Sequence, residues 1–222
     1  DLYDFKSNNL VLQELLTALK ETSYKKLFFY SSSIAVYGSV KLRKKVSEKY
    51  NLNPESSYGI SKIIAEKQIE YFSKKTKFKS IILRLSSIYG PGLKRQIIYD
   101  IIKGVLINKK ISLKGSSNDS RQFLYVEDCV KIFKSLINKK QKKFSIFNIA
   151  AGKKIKILKI VKLTKIILQK NIEIEFLNKL KNPSLPALSN LKLIKKIGII
   201  NFKTLDLGLV ETLNWIKKTH KL

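Results

Sequence analysis

The sequence predicts an α/β fold: a parallel, right-handed sheet flanked by helices. Three observations carry that reading. Short apolar runs alternate with helical stretches of ten or more residues, the pattern of parallel strands joined by right-handed crossovers. Runs such as "KKLFFYSS" and "FKSIILRLSS" are nearly continuous in apolar residues, as strands covered on both faces must be. At 222 residues and 44% hydrophobic, the chain can bury the core of one large domain or two interleaved ones.

The elements follow in order. Asn9 to Lys20 has apolar residues at helical spacing, and "KKLFFYSS" is a buried strand. A polar loop, Gly38 to Ser57, leads into the helical "YGISKIIAEKQIEYF". "FKSIILRLSS" is the next strand, closed by the turn "IYGPG", and a helix runs from about Arg95 to Asn108. Strand "FLYV", helix "EDCVKIFKSLI", strand "FSIFNIA", helix "ILKIVKLTKIILQ" and strand "IEIEF" continue the alternation. Two helices separated by residues 198–204 close it, and the loop "NKLKNPSLPALSN" before them is expected to hang over a cleft.

Composition removes several function classes. The net charge is +29, yet 41 of the 45 basic residues are Lys, and Arg is confined to Arg43, Arg84, Arg95 and Arg121. Planar, bidentate recognition of phosphate and bases favours Arg, so a scattered Lys excess argues against a nucleic-acid partner. What the charge does is steer anionic small molecules toward a cleft. Neither a membrane span nor a signal peptide is legible, and a cytoplasmic location is expected. The lone cysteine, Cys129, has no partner for a disulfide and sits on an apolar helix face, where core packing is expected. With His220 the only histidine, no metal site and no histidine acid/base chemistry is expected.

In an open parallel sheet, ligands bind beyond the carboxyl ends of the strands. "FFYSSSIAVYG" brings three hydroxyls there, which either satisfy turn backbone or bind a ligand. Tyr58 and Lys62, four apart, share one helix face, and an ammonium beside a phenol favours the phenolate. Tyr-x-x-x-Lys alone selects nothing, since four of the ten tyrosines have Lys at that offset and about two would by chance. Context selects Tyr58: it opens a helix after a polar loop, has Gly59 beside it for close backbone approach, and follows Ser33 by 25 residues.

Together with "FFYSSSIAVYG", the segments "NPESSYGISKIIAE", "ILRLSSIYGPG", "GSSNDSRQFLYVEDCV", "FNIAAGK" and "LSNLKLIKKIG" make the chain similar, nearly end to end, to the extended short-chain dehydrogenase/reductase family, specifically its nucleotide-sugar epimerases and dehydratases. The resemblance implies NAD as cofactor, with NADP open, and a nucleotide-diphosphate sugar as substrate. Its catalytic residues fall on Ser33, which would hydrogen-bond the reacting sugar hydroxyl, Tyr58 as general base, and Lys62, which would hold the nicotinamide ribose. Cofactor contacts fall on Asn8, Ser31, Tyr58 and Lys62, with a helix cap the alternative for Asn8. Substrate contacts fall on Ser33, Ser87, Gln96 and Arg121. Arg95 is a further candidate for the same cleft, and an ion pair with Glu127 or Asp128 is the alternative for Arg121. Residues 1–85 and 122–150 would belong to the NAD-binding domain, and residues 86–121 and 151–222 to the substrate-binding region. The complete enzyme would be a homodimer through helices near residues 9–20 and 58–74.

The resemblance also sets limits. The family opens on a strand, a glycine-rich turn and a helix for the cofactor pyrophosphate, and none of these is in the sequence, where the only close glycine pair is Gly90 and Gly92. With no Met at all, the chain is expected to be the C-terminal portion of a longer enzyme, a truncated Rossmann sheet with weak NAD binding in isolation. Family 4,6-dehydratases place an acidic pair where this chain has Ile34 and Ala35, which disfavours elimination. A UDP-hexose 4-epimerase-like reaction leads. A 4-keto reductase or a non-catalytic remnant is the alternative.

Overall fold

The computed structural model describes residues 2–40, 45–107, 110–177 and 185–220. The chain runs α1 (Leu2–Phe5), a π-helical turn (Lys6–Leu10), α2 (Val11–Glu21), β1 (Leu27–Ser33), a 3₁₀ turn (Ile34–Tyr37), α3 (Ser57–Lys75), β2 (Lys79–Leu85), β3 (Ser87–Tyr89) and α4 (Ile97–Ile107). It continues through β4 (Lys110–Lys114), β5 (Ser120–Arg121), β6 (Phe123–Tyr125), α5 (Val126–Ile137), β7 (Phe144–Ile149) and β8 (Ile155–Lys156). The last elements are α6 (Ile157–Leu168), β9 (Glu173–Leu177), α7 (Leu191–Ile197) and α8 (Leu205–His220).

Two compact units emerge. The first comprises residues 1–86, 132–150 and 183–199, and the second residues 87–131, 151–182 and 200–222. Residues 122–131 thus pack with the second unit and 183–199 with the first, opposite to the boundaries expected from sequence. The reason for the latter is local. Val46 forms a parallel bridge with Leu188, and Asn190 Nδ2 donates to Ala150 O at 3.2 Å.

In the first unit, β1, β2 and β7 form a parallel sheet in the order β1-β2-β7. Buried Leu12 and Leu16 of α2 and Ala65, Ile69 and Phe72 of α3 pack with Phe78 and Ile82 into one core. A second cluster gathers Ile34, Val36, Tyr37, Val46, Ala150 and Leu188 around the 3₁₀ turn. The second unit holds three two-stranded pairs, β3-β6 and β4-β9 parallel and β5-β8 antiparallel, over a core shared by α4, α6 and α8. The α/β class and the parallel pairing match the sequence expectation. The second-unit strands are two to five residues long and pair only two by two among the described residues.

Two differences in the elements have physical causes. The first helical stretch begins at Leu2 rather than Asn9 and passes through the π turn, whose Asn8 and Asn9 spend their side chains on α3 instead of breaking the helix. Strand β4 alternates outward Lys110, Ser112 and Lys114 with buried Ile111 and Leu113. Its period of two is too short to stand out among lysines. Residues 178–184 of the Pro-containing loop lie outside the described residues.

Candidate active site

The site is built where β1 ends. Ser31, Ser32 and Ser33 are its last three residues, and each has a separate bond. The Ser31 carbonyl accepts from Lys62 Nζ at 3.1 Å. Ser32, buried, donates from Oγ to Glu66 Oε1 at 2.5 Å. Ser33 Oγ accepts from Ala35 N at 3.2 Å, capping the 3₁₀ turn while its own proton stays available to a ligand. The turn-satisfying reading of the hydroxyl run thus holds for Ser33.

Helix α3 brings the tyrosine and lysine to that strand end. Ser56 caps it by accepting from Gly59 N at 3.1 Å. Gly59 lies so close to the 3₁₀ turn that a Cβ would meet Ala35 O at 2.7 Å, which fixes the first turn of α3 against the segment following Ser33. Tyr58, Lys62 and Glu66 then fall at i, i+4 and i+8 on one face. Tyr58 is 39% exposed. Lys62 is 8% exposed, with its ammonium 5.4 Å from the Tyr58 ring centroid and 4.8 Å from that of Tyr30.

Lys62 Nζ donates to Asn8 Oδ1 at 2.8 Å, to Ser31 O at 3.1 Å and to Tyr30 Oη at 3.2 Å. Burial lowers its pKa below the ordinary lysine value, and Asp4 partly offsets this by attraction. Asn8 is thus a partner of Lys62 and of Ser61 Oγ rather than a helix cap.

Sequence reasoning missed the network beneath. Arg84, the next-to-last residue of β2, grips Glu66 with two bonds, Nε to Oε1 at 3.0 Å and Nη2 to Oε2 at 2.6 Å. Its Nη1 donates to Tyr37 Oη at 2.9 Å, and Tyr37 Oη in turn donates to Asn148 Oδ1 at 2.8 Å. Burial opposes the guanidinium charge, but the bonds and attraction of Glu66, then of Tyr37, outweigh it and raise the Arg84 pKa. The network ties α3, β1, β2 and β7 together directly below the Tyr58/Lys62 face. A signal existed: one of only four arginines stands inside the apolar "IILRLSS", and Glu66 follows Lys62 by one helical turn.

The remaining candidates belong to the second unit. Ser87 opens β3, its N–H donating to Gln122 O at 3.1 Å. Gln96 lies just before α4 with φ +74° and lines a small cleft with Arg95, Tyr89, Phe123 and Thr212. Arg121 sits in the β5-β8 ladder opposite Ile155. Among the described residues it makes no ion pair with Glu127 or Asp128, which pair with Lys203 and Lys131 respectively. Cys129 is buried. Among the described residues no helix is long and apolar enough to cross a membrane, and no group of three His, Cys, Asp or Glu could hold a metal.

A parallel α/β unit with a hydroxyl-bearing strand end and an adjoining Tyr/Lys helix face has the architecture of the Rossmann class. Residues 1–150 match the NAD dependent epimerase/dehydratase family, and the chain belongs to it. It is 31% identical over 180 residues to an uncharacterised UDP-glucose epimerase of Bacillus subtilis, covering 80% of this chain and 56% of the relative. It is 32% identical over 162 residues to the dTDP-4-dehydro-6-deoxyglucose reductase of Escherichia coli, covering 71% and 50%. Among solved structures, the UDP-glucuronic acid 4-epimerase of Bacillus cereus in complex with UDP-glucuronic acid and NAD superposes with a TM-score of 0.86 at 26% identity, covering 96% of this chain and 68% of that one. The chain spans about half the length of the curated relatives it matches.

Proposed function

We propose that this chain carries the acid/base site of an NAD-dependent nucleotide-sugar epimerase-type reaction passing through a 4-keto sugar. The observation supporting it best is the α3 face, where a partly exposed phenol stands beside a buried ammonium at the carboxyl end of β1. In this reading Tyr58 takes the proton of the sugar hydroxyl, and the Lys62 charge favours the phenolate that accepts it. Ser33 orients that hydroxyl without adding a charge. NAD, when bound, supplies the hydride acceptor and donor.

The residues suit the nicotinamide end of that cofactor. Buried Ser86 Oγ, one residue past the Ser33–Leu85 pair of the sheet, has no hydrogen-bond partner among the described residues. A ligand carrying a hydroxyl or amide group at this strand end would satisfy it. Asn8 and Ser31 would act through Lys62, the first by its amide oxygen and the second by its carbonyl rather than its hydroxyl. Ser87, Gln96 and Arg121 would bind the nucleotide diphosphate, Arg121 as a bidentate partner of the pyrophosphate. The division into a NAD-binding part and a substrate-binding part follows the same reading.

The native polypeptide carrying this chain is expected to interconvert UDP-glucose and UDP-galactose with bound NAD. Tyr58→Phe and Lys62→Met would each lower kcat by at least about 100-fold. Undiminished turnover in Tyr58→Phe refutes the reading. A 4-keto reductase is the second reading, favoured by the similarity to the Escherichia coli reductase. It predicts NADPH-dependent reduction of a dTDP-4-keto-6-deoxy sugar and no hexose interconversion. A homodimer through α2 and α3 completes the proposal, since Val11 and Leu15, and Ile60 and Ile64, are exposed apolar pairs one turn apart. A monomer by sedimentation at micromolar concentration refutes that part.

A further inference from the structure

Lys62 has three N–H donors, and the structure gives each an oxygen: Asn8 Oδ1, Ser31 O and Tyr30 Oη. The family resemblance assigns a role to the first two residues and none to Tyr30. Yet Tyr30 touches the ammonium twice, by its hydroxyl at 3.2 Å and by its ring face, 4.8 Å from Nζ to centroid. Its phenol stays neutral because burial first, then Tyr58 and Glu66, raise its pKa. The hydroxyl is thus an acceptor that stabilises the cation without cancelling its charge.

We propose that Tyr30 is a positioning residue of this site, holding the Lys62 ammonium charged and fixed at the end of β1 beside Tyr58. Burial drives Lys62 toward the neutral amine, which exerts no field on a phenol. Of the charged and titratable groups around it, Asp4 from α1 is the anion that favours its charge, while Glu66 is held by Arg84 and Ser32. Among the described residues Tyr30 and Tyr58 also face it, from β1 and α3. The dipoles of Asn8, Ser31 and Tyr30 therefore do much of the work. The consequence for catalysis rests on the reading of Tyr58 and Lys62 above, whereas the contact itself can be tested without turnover.

The test is a ¹³C NMR titration of the whole chain carrying ¹³Cε-labelled lysine, with the Lys62 resonance assigned by its loss in Lys62→Arg. Tyr30→Phe removes one oxygen and keeps the ring. It is expected to lower the Lys62 midpoint by about one pH unit, a tenfold change in the ammonium-to-amine ratio. A folded Tyr30→Phe with an unchanged midpoint overturns the proposal. Should that variant not fold, the wild-type Tyr30 ¹³Cζ resonance gives the answer: it must shift at the Lys62 midpoint, and a flat trace there overturns the proposal. The two readings fail separately. Loss of turnover in Tyr58→Phe with an unmoved Lys62 in Tyr30→Phe removes Tyr30. A moved Lys62 with full turnover in Tyr58→Phe upholds the Tyr30 contact and removes the catalytic role of Tyr58.

Discussion

Breaking the Glu66–Arg84 pair tests the architecture below the site. Both side chains are nearly inaccessible, 4% and 3% exposed, and are joined by two hydrogen bonds. Glu66→Leu leaves a guanidinium with only Tyr37 Oη and Glu48 O as partners. Arg84→Met leaves a carboxylate with only Ser32. Removing one partner of a buried pair costs about 3–5 kcal/mol, a large share of the 5–15 kcal/mol typical of whole proteins. In the double variant both charges are gone, and the main loss is the acceptor of Ser32 Oγ, about 1–3 kcal/mol. Tyr37 keeps Asn148 Oδ1.

The double variant should therefore be more stable than either single one, with a coupling of at least about 3 kcal/mol. Urea unfolding followed by circular dichroism gives the cycle, provided the m-value stays constant and tryptophan fluorescence reports the same midpoint. Singles costing under about 1 kcal/mol, or effects that add within about 0.5 kcal/mol, would refute the assignment of an uncompensated buried charge.

Two further perturbations separate packing from chemistry. Gly59→Ala improves helix propensity by about 1 kcal/mol, yet its Cβ would press on Ala35 O, so loss of stability and of turnover is expected, and a stabilised, fully active variant would contradict the close approach. The Cys129 thiol is pushed up to about 11 by burial, so it should resist a thiol reagent at pH 8 until the chain unfolds. The sign is fixed by its protons: the folded thiol keeps a proton that the unfolded one loses from about pH 8.5, so this stabilisation is present below that pH and fades as pH climbs to 11. A Cys129→Ala variant whose stability falls off identically between pH 8.5 and 11 would remove it as the cause.

Much of the site was legible because its residues lie in short, ordered segments. The Ser run and the Tyr58/Lys62 spacing are local features, and Gly59 marked the close approach correctly. Of the competing Tyr-Lys pairs, Lys103 also lies over its Tyr99 ring at 5.9 Å, but on α4 in the second unit. Tyr71 and Lys75 line an open groove beside α2. Position at the end of β1 separates Tyr58 from these, and periodicity cannot supply that. The Glu66–Arg84–Tyr37–Asn148 network was hidden because it joins residues 18 to 111 apart, and no pattern in one sequence pairs them. Strands β5 and β8, two residues each, lie below what any period can detect.

The choice among reactions turns on which carboxyl groups are free. Elimination of water needs an acid beside the leaving hydroxyl, and the positions directly after Ser33 are Ile34, buried, and Ala35. The carboxylate nearest in sequence on the α3 face is Glu66, and its oxygens are already occupied by Ser32 and two nitrogens of Arg84. Freeing it would leave Arg84 unpaired in the core, at the several kcal/mol argued above. The end of β1 thus offers a phenol, a buried cation and neutral hydroxyls. Under the proposed reading that set would move one proton on and off a sugar oxygen, while Ile34 and Ala35, directly after Ser33, supply no second acid with which to expel water.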